Sequence, residues 1–258
     1  MGSPILALPI VGVLTGLLTI TLGGGGGAIY VGILTVFFHV PPAIAASTSL
    51  ATMIPTTAMG AFSHGKVGHM NIRLGLYMLG GGVPGAIIGS VCSTLLPDRV
   101  YDTISGLFIV AISIQMLGHF LRRKPQPADR VPSLRLQRSH IIQAVIYGLF
   151  GGALAGLVGI SGSPAIVAGL SVLGCDVMEI AGTSVLVLLG VALTGFLMHL
   201  SHGTIDWPLV GLFLIGTLSG AWLGPKMLTR LNPATLEKVL RPIFFVLMIG
   251  TGTVLALK

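Results

Sequence analysis

LGGGGGAIYVGIL, residues 22–34, and LVGISGSPAIVAG, residues 157–169, are the stretches on which the fold turns. In each, a long apolar run breaks at glycine and a shorter apolar run resumes at once. Ser163 has the character of a helix N-cap and Pro164 suits a first helical position, so a new helix is predicted to start there. Sliding the chain over itself by 135 residues aligns the two breaks, Gly24 with Gly159 and Gly27 with Gly162. The same offset pairs Gly16 with Gly151, Thr48 with Thr183, Ser49 with Ser184, Gly60 with Gly195, Gly81 with Gly216, Gly85 with Gly220 and Gly89 with Gly224. The chain is therefore an internal repeat, and by that repeat helix two starts near Gly27 or Ala28. Ser63, His64 and Gly65 match Ser201, His202 and Gly203 at an offset of 138, which reads as a three-residue insertion at a helix end.

Composition names the solvent. Of 258 residues 53% are apolar and 8% charged, with a mean hydropathy of +0.97, against about 25% charged in soluble domains. Apolar runs recur at the length, about 20 helical residues, that crosses a hydrocarbon core of about 30 Å. Hydropathy and breakers together predict an all-α integral membrane protein with helical segments over 4–22, 25–38, 43–63, 73–95, 100–121, 139–159, 162–174, 179–200, 206–229 and 237–257. This is one membrane domain over 1–258: repeat one 1–121, a basic linker 122–138, and repeat two 139–258. Segments two and seven are too short to span, so each is predicted to stop near the midplane. The first run lacks a basic flank and a cleavage site, so it is read as structure and not as a signal peptide. Cys92 and Cys175 have no metal-ligand or disulfide spacing and are read as packing residues.

Five segments per repeat is an odd number, so the second copy enters the bilayer from the opposite side, giving two inverted repeats with one short helix each. Arg122, Arg123, Lys124, Arg130, Arg135 and Arg138 share one loop. They report membrane orientation and not a nucleic-acid partner. Placing that loop in the cytoplasm leaves only Arg99 and Lys258 outside, out of 14 Lys and Arg, and puts both termini on the non-cytoplasmic face. Segments one and two, and six and seven, either cross fully or form midplane hairpins; parity does not separate these.

The chemistry-bearing groups cluster at the breaks. Gly23 to Gly27 lack the strand and distant acid that a dinucleotide fingerprint needs. Two helix N-termini facing the membrane centre instead offer free N–H groups and partial positive charge to an anion. The candidate substrate-binding residues are Gly25, Gly26, Gly27, Ser161, Gly162 and Ser163, with the paired hydroxyls Thr48, Ser49, Thr183 and Ser184. Serine and threonine in membrane helices also bond the preceding turn, which is the plain reading of Thr52 and Thr56. Likewise Gly80, Gly81, Gly82, Gly85 and Gly89 read as helix packing. His64, His199 and His202 are candidates for proton transfer or gating, since imidazole titrates near neutrality. Asp98, Asp102, Asp129, Asp176, Glu179, Asp206 and Glu237 all fall at segment ends or in loops. No nucleophile–base set, metal motif or phosphate loop is present, so neither an enzyme nor a cofactor is expected.

The glycine break, AIYVGIL, ASTSL at 46–50, the histidine–glycine helix end, and their second copy around GISGSPAIV, AGTS and SHGTIDW resemble the TauE/SafE family over nearly the whole chain. The resemblance implies a bacterial or archaeal inner-membrane exporter of small sulfur-containing anions such as sulfite, sulfoacetate or related sulfonates. Its partners would be that anion and the lipid bilayer. Ile160 and Ser161 stand where the first copy has Gly25 and Gly26, and Gly182 where it has Ser47, so substrate contacts differ between the copies. An anion channel, or a permease for another small solute, is the alternative.

Overall fold

In the computed structural model the chain is helical, and the structure describes residues 8–22, 26–68, 70–122, 137–202 and 205–230, together with helical residues 246, 249–250, 252–254 and 256–257. The helices are α1 (Leu8–Leu22), α2 (Gly27–Val36), α3 (Pro42–Val67), α4 (Ile72–Leu95), α5 (Asp98–Arg122), α6 (Arg138–Val158), α7 (Ser163–Val172), α8 (Val177–His202) and α9 (Trp207–Arg230). No strand occurs among the described residues. Most of the basic linker and most of predicted segment ten lie outside them. Ile72–Leu95, Arg138–Val158 and Met178–Leu200 are each long and apolar enough to cross a bilayer. The two short helices have 10 residues each, about 15 Å, or half the hydrocarbon thickness.

Helix α4 shows which solvent the fold is built for. Its buried face carries Gly81, Gly82, Gly85, Ala86, Gly89 and Ser90, while Ile72, Leu76, Ile88 and Leu95, each more than half exposed, cover the other. Small residues inside and large apolar ones outside is the distribution that lipid imposes, because lipid rewards close backbone packing and not hydrophobic burial. Gly81, Gly85 and Gly89 lie directly against the carbonyls of Val145, Leu149 and Ala153 on α6, and Gly148, Gly152 and Gly156 against those of Met78, Gly82 and Ala86. The contacts climb both helices together, so α4 and α6 run parallel. Gly82 meets the Val191 side chain on α8, whereas Gly80 faces nothing within 4 Å, contrary to its reading as a packing residue. Cys92 is likewise exposed and only Cys175 is buried.

Two hydrophobic clusters divide the interior. One joins α1, α2 and α3 to Leu209 and Phe213 of α9, with Tyr30 edge-on to Phe213 at 4.9 Å. The other joins α6, α7 and α8 to Leu74, Met78 and Ala86 of α4. Each cluster thus draws on the other half of the chain, the first on α9 and also on Val158, Ile160 and Ala192, the second on α4. Between them α3 and α8 cross antiparallel, with Gly60 against Val185 and Gly195 against Leu50. Both helices have 26 residues, and their first and last residues are each 135 apart. The three-residue insertion read from the Ser-His-Gly triplets is therefore absent. His64 corresponds to His199 and not to His202.

Candidate functional site

The two breaks meet. A Cβ built on Gly27 would stand 2.5 Å from Ser161 N, 2.9 Å from Met53 Sδ and 3.1 Å from Gly159 O. Only glycine permits that approach of one backbone to another. α6 and α7 form a hairpin, since Gly162 lies against Gly151 and Gly169 against Tyr147. Its tip, Gly159 to Gly162, is fully buried, as are Gly26 and Gly27 opposite it.

Left-handed glycines form the helix starts. Gly26 (φ 66°) caps α2 and accepts from Ile29 N and Tyr30 N, both at 3.0 Å. Gly162 (φ 36°) caps α7. The predicted cap, Ser163, is instead the first helical residue, because its hydroxyl is bonded to that of Ser161 at 2.8 Å and not to a backbone N–H. The first N–H groups of both helices have no intrahelical acceptor, and the Ser161–Ser163 hydroxyl pair sits beside those of α7. Gly25 lies outside the described residues.

The Thr-Ser steps are buried but differ from each other. Ser49 Oγ lies 3.3 Å from Gly27 O and 3.2 Å from Gly159 O, so one hydroxyl of α3 spans the two tips. Ser184 turns back to Ala181 O at 3.1 Å within its own helix. Thr183 Oγ1 accepts from Asn71 N at 2.9 Å, whereas Thr48 Oγ1 is fully buried with no hydrogen-bond partner. Thr48 lies about 100° around α3 from Ser49, away from the face formed by Ala46, Ser49 and Met53 that meets the tips. Thr52 and Thr56 bond Thr48 O and Thr52 O, as the plain reading expects.

His199 is buried with Nδ1 3.0 Å from Gly195 O and 3.5 Å from Ser90 Oγ. A carbonyl can only accept, so Nδ1 carries the hydrogen and Nε2 is the ring's other nitrogen. Ser90 also reaches Gly156 O at 3.4 Å, tying α4, α6 and α8 together at that level. His64 is half-buried one turn before the end of α3, and the His202 side chain lies outside the described residues.

A second polar cluster was missed in the sequence. Asn71 caps α4 by accepting from Leu74 N at 3.1 Å, and its Nδ2 donates to Glu179 Oε1 at 2.8 Å. Glu179 also holds the Cys175 thiol in the α7–α8 turn. Burial, then the Glu179 charge and hydrogen bond, then Asp176, push that thiol from 9.0 up to about 12. The capping role alone was legible, because Asn71 aligns with Asp206, which caps α9 by accepting from Leu209 N at 3.1 Å. Among the described residues no three His, Cys, Asp or Glu side chains gather as metal ligands.

Relatives of similar sequence include three that span nearly the whole chain. A "Probable membrane transporter protein YdhB" of Bacillus subtilis is 32% identical over 237 residues, 91% of this chain and 92% of its own length. A second from that organism, "Probable membrane transporter protein YunE", is 24% identical over 95% of this chain and 94% of its own. A "Probable membrane transporter protein" of the archaeon Methanocaldococcus jannaschii is 24% identical over 93% and 92%. No solved structure matches. Residues 8–255 match the family model described as "Sulfite exporter TauE/SafE", and with relatives spanning its whole length the chain belongs to the TauE/SafE family and is a membrane transporter, not an enzyme.

Proposed function

We propose that this chain exports small sulfur-containing anions, sulfite or organosulfonates such as sulfoacetate, by alternating access between two inverted repeats. The observation that carries the reading is the meeting of the two tips, each at the start of a half-length helix. Helix N-termini aimed into a dry interior favour an anion, and irregular backbone at that depth must face protein or a wet cavity. The anion is held by N–H groups at the starts of α2 and α7, near Gly25, Gly26, Gly27, Gly162 and Ser163, and by the Ser161 and Ser163 hydroxyls. Ser49 supports these backbones through its contacts with Gly27 O and Gly159 O. No buried lysine or arginine is needed, and weak multi-point binding permits release. The choice of a sulfur anion rests on the family's description.

The inverted arrangement is supported by the crossing of α3 and α8. Their contacts, Gly60 with Val185 and Leu50 with Gly195, are images of one another under the 135-residue repeat and run antiparallel. Exchange of the fourth helices between the two clusters follows the same symmetry. The Asn71–Glu179 bond puts the α3–α4 and α7–α8 turns at one end, as the topology with a cytoplasmic 122–138 loop and both termini outside requires. The location we assign is the bacterial inner membrane. His64 and His199, one turn from equivalent helix ends, are the gating histidines of this reading.

The test is flux in proteoliposomes with sulfite, sulfoacetate, chloride and acetate, with and without a pH gradient. Saturable sulfite or sulfoacetate flux, inhibited by the other and not by chloride, is the expected result. Unsaturable currents would make it a channel, and transport of acetate alone would overturn the substrate.

A further inference from the structure

We propose that the paired Thr-Ser steps are reciprocal latches that decide which end of the transporter is closed, a proposal that rests on the inverted-repeat reading above. Two halves related by a twofold axis, and of nearly the same sequence at this point, ought to make the same bonds. They do not. At the α4/α8 end Thr183 accepts the Asn71 N–H, and Asn71 in turn donates to Glu179. At the equivalent α3/α9 end stand Thr48 and Asp206, which carries a cap bond like that of Asn71. Thr48 Oγ1, however, has no partner although it is fully buried.

The serines are unequal in the same way. Ser49 reaches out to Gly27 O and Gly159 O, while Ser184 falls back on Ala181 O in its own turn. A buried hydroxyl without a partner is costly, and fold symmetry supplies the partner it lacks. Exchanging the conformations of the two repeats gives the opposite state. There the Thr48 hydroxyl accepts the Asp206 N–H and Thr183 loses that of Asn71. Ser184 reaches Gly162 O at the start of α7, the image of Gly27 O, and Ser49 returns to its own helix. The structure therefore holds the state latched at the Asn71–Glu179 end and unlatched at the Asp206 end. The threonine and serine bonds gained in one state match those lost in the other, which keeps the two states close in free energy, while the Asn71–Glu179 bond has no counterpart, Ile44 standing where Glu179 would be, and favours the state seen here.

The experiment measures how fast a polar maleimide modifies single cysteines in nanodiscs, where both faces are open to reagent. The parent carries Cys92→Ala and keeps the buried Cys175. Ile44→Cys reports the α3/α9 end and Ile180→Cys the α4/α8 end. Thr183→Val is expected to speed labelling at Ile180→Cys and slow it at Ile44→Cys, by about twofold to tenfold, the range one net hydrogen bond sets. Thr48→Val is expected to shift both rates the other way, and Thr48→Ser and Thr183→Ser to stay near the parent. Shifts in the same direction for both valine variants, as general loosening would give, or no shift with Thr48→Val, would overturn the latches. Sulfite flux of the unsubstituted protein separates the two readings. Opposed shifts without sulfite flux leave the latches standing and sink the substrate, while flux without opposed shifts does the reverse.

Discussion

Ser49 has one proton and two acceptors, and both acceptors are backbone carbonyls buried at the tips. Ser49→Ala removes a side-chain link between the breaks and takes its donor from the loop carbonyl of Gly159, so a stability loss of about 1–3 kcal/mol is expected. Ser184→Ala removes a bond to a carbonyl that α8 itself still satisfies, and should cost under about 0.5 kcal/mol. Thermal unfolding in detergent compares the pair, and equal losses would contradict this reading of Ser49. Gly162 sits at φ 36°, and a methyl group on it would run into Gly151 O. Gly162→Ala is therefore strained twice over and should abolish folded protein, scored by size-exclusion chromatography. Cys175 yields a pH prediction whose sign follows from its proton. The thiol holds that proton more tightly in the fold, so its contribution to stability is whole below its ordinary 9.0 and is lost as pH rises through about 12. Iodoacetamide at pH 8 should leave Cys175 unmodified in the folded protein and modify it after denaturation, as mass spectrometry would record.

At the scale of helices, the α4–α6 seam is the contact most exposed to error, because backbone meets backbone there. Gly85→Ala drives a methyl into Leu149 O and should destroy the seam, while Gly80→Ala faces open space and should gain a few tenths of a kcal/mol from helix propensity. Relative yield of folded protein and melting temperature check the contrast. Helix existence and the two short helices were legible in the sequence because hydropathy and breakers are local signals. α4 ends at Leu95, where the apolar run ends. The start of α7 was misplaced by one residue because Ser163 has a cap's chemistry, while the left-handed backbone that makes the cap belongs to Gly162. The Ser49 bridge could not be read, since its acceptors lie 22 and 110 residues away. The histidine pairing went wrong because a local triplet outweighed the register that helix length imposes. Asn71 and Glu179 needed the fold, as only packing of α4 on α8 brings them together.

For the molecule as a whole, topology gives the sharpest expectation. Ser133→Cys in the basic linker should react with an impermeant maleimide from the cytoplasmic face only, and labelling from outside intact cells would overturn the orientation. The interlocked clusters carry a consequence for biogenesis. Neither half can finish its interior alone, because each takes a helix from the other and each tip is walled by its counterpart. The ribosome makes Ser49 110 residues before Gly159, a delay of about 5 to 20 s at ordinary synthesis rates. During that interval the first half resides in the bilayer with its break uncovered, so insertion machinery or a chaperone that shields unpaired backbone in lipid must attend it until the second half arrives.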